Sequence, residues 1–255
     1  MSNFTTWRSL VDGEEVSAIP DSAVHHMLID EGSGTTIGDD IGSLDGSLGD
    51  TNAWISDETF EGGHALDFSN VGSGGSVSFG GLPDVIEADP SQPWGLAITI
   101  SADDYINASS DNVNWVGGSD DGSDDFRLVV TGNDDGDDEF MMDAVARDID
   151  DYNPQRIPKS DFDYTDPDQF RAFMVKEGAG QSDLSVYING EEQNLENASH
   201  SNIGSLADFA EDDFRLGSRG GGGDTVDSGI LDNLSIYENP TEDDIERDYE
   251  MQPWS

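Results

Sequence analysis

Residues 184–190 are Leu-Ser-Val-Tyr-Ile-Asn-Gly, and this stretch decides the fold class. Leu184, Val186 and Ile188 share one face and the residues between them share the other, which is the period-two pattern of a half-buried strand. The Asn-Gly pair at 189–190 predicts a type I′ hairpin turn, because both residue types tolerate a positive φ. The stretch therefore predicts antiparallel β structure.

The same rhythm extends in both directions along the chain. Short apolar runs are interrupted about every eight to twelve residues by Gly, Asp, Asn or Ser, a spacing typical of a sandwich or barrel. The predicted strands are Ala23 to Ile29, His64 to Phe68, Ser76 to Phe79, Gly95 to Ser101, Asn112 to Val116, Phe126 to Thr131, Phe140 to Arg147, Phe170 to Lys176, Leu184 to Asn189, Phe214 to Gly217 and Ile230 to Tyr237.

One short helix is predicted near the end of the sequence, from Glu242 to Glu250. Thr241 can cap it and Asp244 completes a capping-box pattern. Two segments rich in Gly and Asp, 117–125 and 132–139, are predicted to be loops. Acidic runs of this kind are the default in so acidic a chain, and neither fits the EF-hand register.

The charge balance excludes several functions. The 255 residues include 56 Asp and Glu against 10 Lys and Arg, for a formal net charge of -46. Such a surface repels phosphate, so neither nucleic acid nor anionic lipid is an expected partner. Hydrophobic residues are 34% of the chain, including 5 Trp, which favours a folded core over acidic disorder. We interpret the charge as adaptation to high salt, where the Debye length falls to about 3 Å and repulsion is screened.

Cysteine is absent, which excludes disulfides and thiolate metal sites. The first residues lack a basic segment followed by an apolar one, and no later run approaches a membrane span. The sequence therefore predicts a protein made in the cytoplasm without a signal peptide and without membrane insertion.

Three segments together suggest a family. The first runs from Leu28 through Asp-Glu-Gly-Ser-Gly at 30–34 and Trp54 to Gly63-His-Ala-Leu-Asp-Phe68, the second is the 184–190 stretch, and the third is Gly229-Ile-Leu-Asp-Asn-Leu-Ser-Ile-Tyr237 with its helix. In this order they resemble the laminin-G-like, concanavalin A-like lectin/glucanase superfamily. The resemblance covers about residues 23–251 and implies an all-β, two-sheet antiparallel jelly-roll sandwich with one short C-terminal helix.

The resemblance also implies a calcium site. By alternation Asp232 shares a face with apolar Ile230, Leu234 and Ile236, and a buried carboxylate must be paired or bind a metal. Members of the family often carry calcium near this Asp, with help from the early turn that begins at Asp30. The alternative is that Asp232 accepts hydrogen bonds from backbone amides. We predict structural calcium at Asp30 and Asp232.

A glycan site would need an exposed aromatic ring among polar side chains. The best candidate is Trp115, since it lies beside Asn114. The other candidates are Tyr152, Trp94 and Trp54, and for Trp54 packing in the core is favoured. No strand carries the Glu-x-Asp-x-x-Glu arrangement of the family's glucanases, and 140–147 has a single Asp143. The chain is therefore predicted to be non-enzymatic.

These observations predict two parts: an N-terminal anchoring or assembly segment, 1–22, and a laminin-G-like jelly-roll domain, 23–255. The function they favour is a virion surface protein of a virus from a high-salt environment, a capsid decoration, turret or tail-fibre component. Residues 1–22 would contact other virion proteins, the protein would form homo-oligomers, and the domain would bind host glycans. The alternatives are a host cell-surface carbohydrate-binding or adhesion protein and a glycoside hydrolase.

Overall fold

The structure is a computed structural model of the chain. It describes residues 8–11, 14–17, 19–56, 63–68, 71, 75–81, 83–87, 92–101, 113–119, 125–130, 140–147, 155–158, 169–177, 184–197, 213–217 and 230–252. For 113–119, 125–130 and 140–147 the description is of the backbone and its pairing.

Strands account for most of the described chain. They are β1 Arg8–Val11, β2 Glu14–Ser17, β3 Ala23–Met27, β4 Thr36–Ile37, β5 Gly46–Leu48, β6 Trp54–Ser56, β7 His64–Asp67, β8 Val77–Ser78, β9 Trp94–Ser101, β10 Val113–Ser119, β11 Asp125–Val130, β12 Phe140–Arg147, β13 Gln155–Pro158, β14 Gln169–Lys176, β15 Leu184–Ile188, β16 Glu191–Glu192, β17 Glu196–Asn197, β18 Asp213–Leu216 and β19 Ile230–Glu238. The helices are α1 Asp84–Glu87, α2 Glu242–Glu250 and a 3-10 turn at Thr51–Ala53.

Two large antiparallel sheets form the fold. One has nine strands in the order β17-β13-β12-β11-β10-β18-β8-β5-β4. The other has eight, ordered β16-β15-β14-β9-β19-β7-β6, with β3 also paired to β19. The hairpin β1–β2 forms a two-stranded sheet of its own. The predicted two-sheet antiparallel sandwich with a C-terminal helix is confirmed.

The main core lies between the inner faces of the two sheets. From the eight-stranded sheet β9 contributes alternate apolar residues, and β14 contributes Phe170, Ala172 and Met174. Phe214 and Leu216 of β18 come from the nine-stranded sheet. Burying such side chains is worth about 25 cal/mol for each Å² of apolar surface, so this layer is the main source of stability.

The strongest local sequence patterns are confirmed. All eleven predicted strands occur, with their ends displaced by at most a few residues, and the stretch that fixed the fold class forms β15 with its first, third and fifth residues buried. Asn189 and Gly190 have φ of 52° and 79°, as a type I′ turn requires. Helix α2 has its predicted bounds, and Thr241 and Asp244 form the capping box.

One predicted loop is partly wrong. Residues 117–119, expected to begin the Gly/Asp-rich loop 117–125, continue β10, and Asp125 already opens β11. Glycine weakens the interior of a strand, but here β10 is hydrogen-bonded to β11 on one side and to β18 on the other, which outweighs that weakening. The described helices include none of the length and apolarity that a membrane span needs.

Candidate functional site

Helix α2 covers the outer face of the eight-stranded sheet over its central strands β9, β14 and β19. Ile245 of the helix packs against Ala97, Phe173, Val175 and Tyr237, which form a second, smaller apolar cluster on the sheet. This part of the face is therefore closed by the protein itself and is as buried as the interior.

A buried ion pair lies under the helix. The Arg171 guanidinium donates two hydrogen bonds to the Asp248 carboxylate, Nε to Oδ2 at 2.7 Å and Nη2 to Oδ1 at 2.8 Å. Tyr237 also donates its hydroxyl to Asp248, and Arg171 donates to Ser235 Oγ at 2.9 Å. Both members of the pair are almost entirely buried. Such a two-pronged pair fixes geometry, so it locks α2 in one position on the sheet.

His26 joins this network through its Nδ1, which lies 2.9 Å from Ser235 Oγ. Burial, together with the positive charge of Arg171, lowers the pKa of His26 from 6.5 to about 4. The nearby carboxylates of Asp248 and Asp39 act in the opposite direction but are weaker. The imidazole is therefore neutral at neutral pH, and the network is a structural clamp.

Asp232 is fully buried, as predicted, but on the other face of β19 from the one expected. The pairing of β19 with β9 shifts between Asp232 and Ser235, where Asn233 adopts φ of 45°. This bulge reverses the alternation, so Leu234 lies in the main core while Asp232 pairs with Thr99 on the outer face. Thr99 accepts from Arg171 there, at 3.3 Å.

The early Asp-Glu-Gly-Ser-Gly turn, 30–34, is held between two side chains. The Trp54 indole N–H donates to the Gly34 carbonyl at 3.0 Å. Gly32, at φ of 63°, lies so close to His64 that a Cβ there would sit 2.4 Å from Nε2. The structure thus brings together the parts of the first segment that carries the family resemblance.

Asp39 organises the loop that follows. Its carboxylate accepts from the backbone N–H of His26, Gly42 and Leu44 at 3.1, 2.9 and 2.8 Å, and lies 2.7 Å from His25 Nδ1. Burial alone would raise the pKa of Asp39, but these hydrogen bonds outweigh it and lower that pKa. The hydrogen-bonding capacity of the Asp39 carboxylate is therefore used to hold the surrounding backbone.

Its neighbour Asp40 behaves in the opposite way. Asp40 is exposed, but partial burial of its carboxyl, followed by the negative charge of Asp30 and Glu31, raises its pKa to about 6. Asp30 itself is exposed. Within the described ranges no group of three or more His, Asp or Glu side chains is arranged to hold a metal. Calcium at Asp30 and Asp232 stays a prediction.

The nine-stranded sheet presents a different outer face. In β10, Val116 pairs with Leu216 and Gly118 with Phe214, both of which lie in the core. Cross-strand partners share a face, so the alternate positions of β10, Trp115 among them, lie on the outer side. Described residues of this side include Ser47, which is exposed, and Ser78, which is half-buried.

Of the predicted glycan-binding residues, two lie together in the backbone of β10. Val113 pairs with Val130 and Trp115 with Val129, so Asn114 is the extra residue of a β-bulge. Tyr152 lies outside the described residues. Trp94 is fully buried and Trp54 packs against the core, which removes both from consideration as exposed platforms.

Sequence reasoning missed Arg171 and Asp248. The available signal was a cation inside the apolar run Phe-Arg-Ala-Phe at 170–173, and a carboxylate between the two apolar residues of α2. Both charged side chains can be buried because α2 lies over this part of the sheet and brings them together. No local sequence pattern showed where the helix would lie.

The sequence matches no family model and no curated protein. Its structure is similar to that of a Trypanosoma rangeli sialidase, with a TM-score of 0.57 and 14% identity over 95% of this chain and 35% of the sialidase. It is also similar to the botulinum neurotoxin serotype D binding domain, with a TM-score of 0.58 and 13% identity over 92% of this chain and 52% of that domain.

The same neurotoxin domain in complex with N-acetylneuraminic acid matches with a TM-score of 0.53 and 14% identity, over 92% of this chain and 52% of that one. The chain thus spans about a third of the sialidase and about half of the toxin domain. At these identities the similarity establishes the β-sandwich fold alone.

Proposed function

We propose that the chain is a non-enzymatic carbohydrate-binding module whose ligand surface is the outer face of the nine-stranded sheet around Trp115. The observation that carries the proposal is the position of this tryptophan. It lies in the middle strand of that sheet, on the side opposite Phe214 and Leu216, next to a bulge at Asn114. Bulges occur preferentially beside functional sites, where they redirect a side chain.

The two outer faces differ in a way that supports this choice. On the eight-stranded sheet α2 and the Arg171–Asp248 pair occupy the outer side. On the nine-stranded sheet the described outer positions Thr36 and Ser47 are exposed. An aromatic residue on an outer sheet face suits a sugar, whose C–H groups stack on an aromatic ring while its hydroxyls hydrogen-bond to polar groups nearby.

The solved structures with a similar fold support the same class of ligand. One of them is a toxin binding domain whose structure contains N-acetylneuraminic acid, and another is a sialidase. Their low identity leaves the ligand and any activity of this chain as a proposal.

A glycan array with labelled protein tests the proposal. The wild-type chain should bind a subset of glycans, and Trp115→Ala should abolish that binding while the melting temperature stays within a few degrees. The matched control is Ser47→Ala, an exposed position on the same sheet, which should bind as wild type. Binding unchanged in Trp115→Ala would place the ligand elsewhere, and release of reducing sugar from bound glycans would contradict the non-enzymatic part.

We also propose that the module acts on the surface of a virus particle, with residues 1–22 contacting other particle proteins. The supporting observation is that β1 and β2 pair with each other, and in the described part of the chain with neither large sheet. Mass spectrometry of purified particles should detect the chain, and its absence there would refute this setting.

A further inference from the structure

We propose that helix α2 is a latch on the sandwich, and that acid opens it through protonation of the buried His26 while the two sheets stay folded. Of the nine residues of α2, two are buried, Ile245 and Asp248. Among the described residues of the main core between the sheets, none belongs to the helix. The helix can therefore leave as a unit of local unfolding, without disturbing the layer that holds the sandwich together.

The apolar contact of α2 with the sheet is small. Ile245 packs on the second cluster, whose residues on the sheet are Ala97, Phe173, Val175 and Tyr237. A surface helix ordinarily buries an apolar stripe of three or four residues in every two turns, and that stripe attaches it to its domain. With one buried apolar side chain, α2 depends on its polar contacts to stay in place.

The polar contacts that hold α2 meet at Asp248. The Arg171 guanidinium of β14 and the Tyr237 hydroxyl of β19 both donate to its carboxylate. Just beyond the helix, Gln252 Oε1 accepts a further hydrogen bond from Thr99 Oγ1 at 3.1 Å. Because Arg171 supplies the positive charge in this set, the position of its guanidinium decides how firmly the helix is held.

One hydroxyl connects this ion pair to His26. Ser235 Oγ lies 2.9 Å from His26 Nδ1 and also 2.9 Å from Arg171 Nη2. A guanidinium can only donate, so the Ser235 hydrogen is left for Nδ1 of a neutral imidazole. Once Nδ1 takes up a proton from solvent it too can only donate, and the same oxygen then faces two cationic donors. Protonated His26 therefore repels the guanidinium that holds Asp248.

The groups around His26 determine the direction of the effect. Burial, followed by the positive charge of Arg171 on β14, lowers the pKa of His26 from 6.5 to about 4, while Asp248 on α2 and Asp39 between β4 and β5 act in the opposite direction. Tyr237 on β19 is uncharged, because burial raises its pKa well above its ordinary value of 10. When α2 leaves, water reaches the imidazole and its proton affinity rises, so acid favours the open form.

Hydrogen exchange measured by mass spectrometry, at fixed salt and at pH values from 7.5 to 4.5, tests the inference. Dividing each rate by that of an unstructured peptide at the same pH gives the protection of each amide. Protection of α2 should be lower than that of β9 and β14 at every pH, because the helix opens without the sheets. It should fall about fifty- to a hundredfold on acidification, as the two pKa values of His26 require.

His26→Asn can hydrogen-bond to Ser235 but cannot take up a proton, so it should remove most of that decrease. His25→Asn is the matched control, since the neighbouring ring contacts Asp39 instead, at 2.7 Å, and this variant should respond to acid as the wild type does. Circular dichroism of each variant at pH 7.5 verifies its fold.

Two results would overturn the inference. Equal protection of α2 and β14 would show that the helix leaves only when the whole sandwich unfolds. A decrease of the same size in His26→Asn as in the wild type would place the acid response at another group, such as Asp248.

Discussion

Replacing His26 by asparagine should make the protein less sensitive to acid. In the folded chain the pKa of His26 is lowered from 6.5 to about 4, because the ring is buried and faces Arg171. The unfolded chain therefore binds a proton more readily between these two pH values, and stability is lost as the pH falls through them. Each factor of ten in proton affinity is about 1.4 kcal/mol, so the loss reaches about 3 kcal/mol at pH 4.

The assay is urea unfolding at fixed salt, at a series of pH values from 7.5 to 4, on wild type and His26→Asn. Both chains share the pH dependence of every other group, so the difference between their curves isolates the imidazole. Asparagine can hydrogen-bond to Ser235 in place of Nδ1 and cannot take up a proton. The wild type should lose about 3 kcal/mol more than the variant on acidification.

A substitution of Asp40 independently tests the predicted direction in which stability changes with pH. Its pKa is raised to about 6, so its ionisation opposes folding at higher pH, and protonation on acidification favours the folded state. Asp40→Asn removes this gain, and that variant should lose more stability than wild type over the same range. Parallel curves for wild type and His26→Asn, or a shallower loss in Asp40→Asn, would refute the reasoning.

Three further changes test the clamp, the early turn and the helix cap. Arg171→Met should lower the free energy of unfolding in urea by about 3–5 kcal/mol, because Asp248 then stays buried without its cation. Adding Asp248→Leu should restore much of that free energy. If the losses of the two substitutions were additive, the pairing would be contradicted. Gly32→Ala should lower the melting temperature more than Gly34→Ala. Both glycines have a positive φ, but only at Gly32 would a Cβ lie against His64. Equal decreases in melting temperature would show that the backbone conformation alone matters. Thr241→Ala should cost about 1 kcal/mol and Thr241→Ser little, and an equal loss in both would exclude the cap.

The elements that could be predicted from the sequence are those whose pattern is complete within the element. Strand β15 alternates because one of its faces is buried and the other is not, and α2 carries its own capping box. Strands β4 and β16 were not predicted, because they have two residues each, too few for a period to be detected. Asp232 was assigned to the wrong face because a bulge at Asn233 changes the phase of β19.

The candidate site was predictable only in part. Trp115 and Asn114 could be chosen from their neighbours in the sequence, and the backbone places the position of Trp115 on the outer face, with Asn114 as the extra residue of a bulge. Which residues of β11 and β18 lie opposite β10 could not be found in this way, because it depends on the pairing of three strands and no single stretch of sequence contains that information.

The pairing of β3 with β19 has a consequence for how the protein is made. Met27 pairs with Leu234, so β3, one of the first strands to leave the ribosome, has no partner until β19, one of the last, has been synthesised. Until then β9 also lacks its partner β19 on one side, and both edges are open to pairing with other chains. Non-local pairing of this kind makes folding slow. Nascent chains of this protein should therefore depend on chaperones that shield strand edges during synthesis, and expression at low temperature should raise the soluble yield.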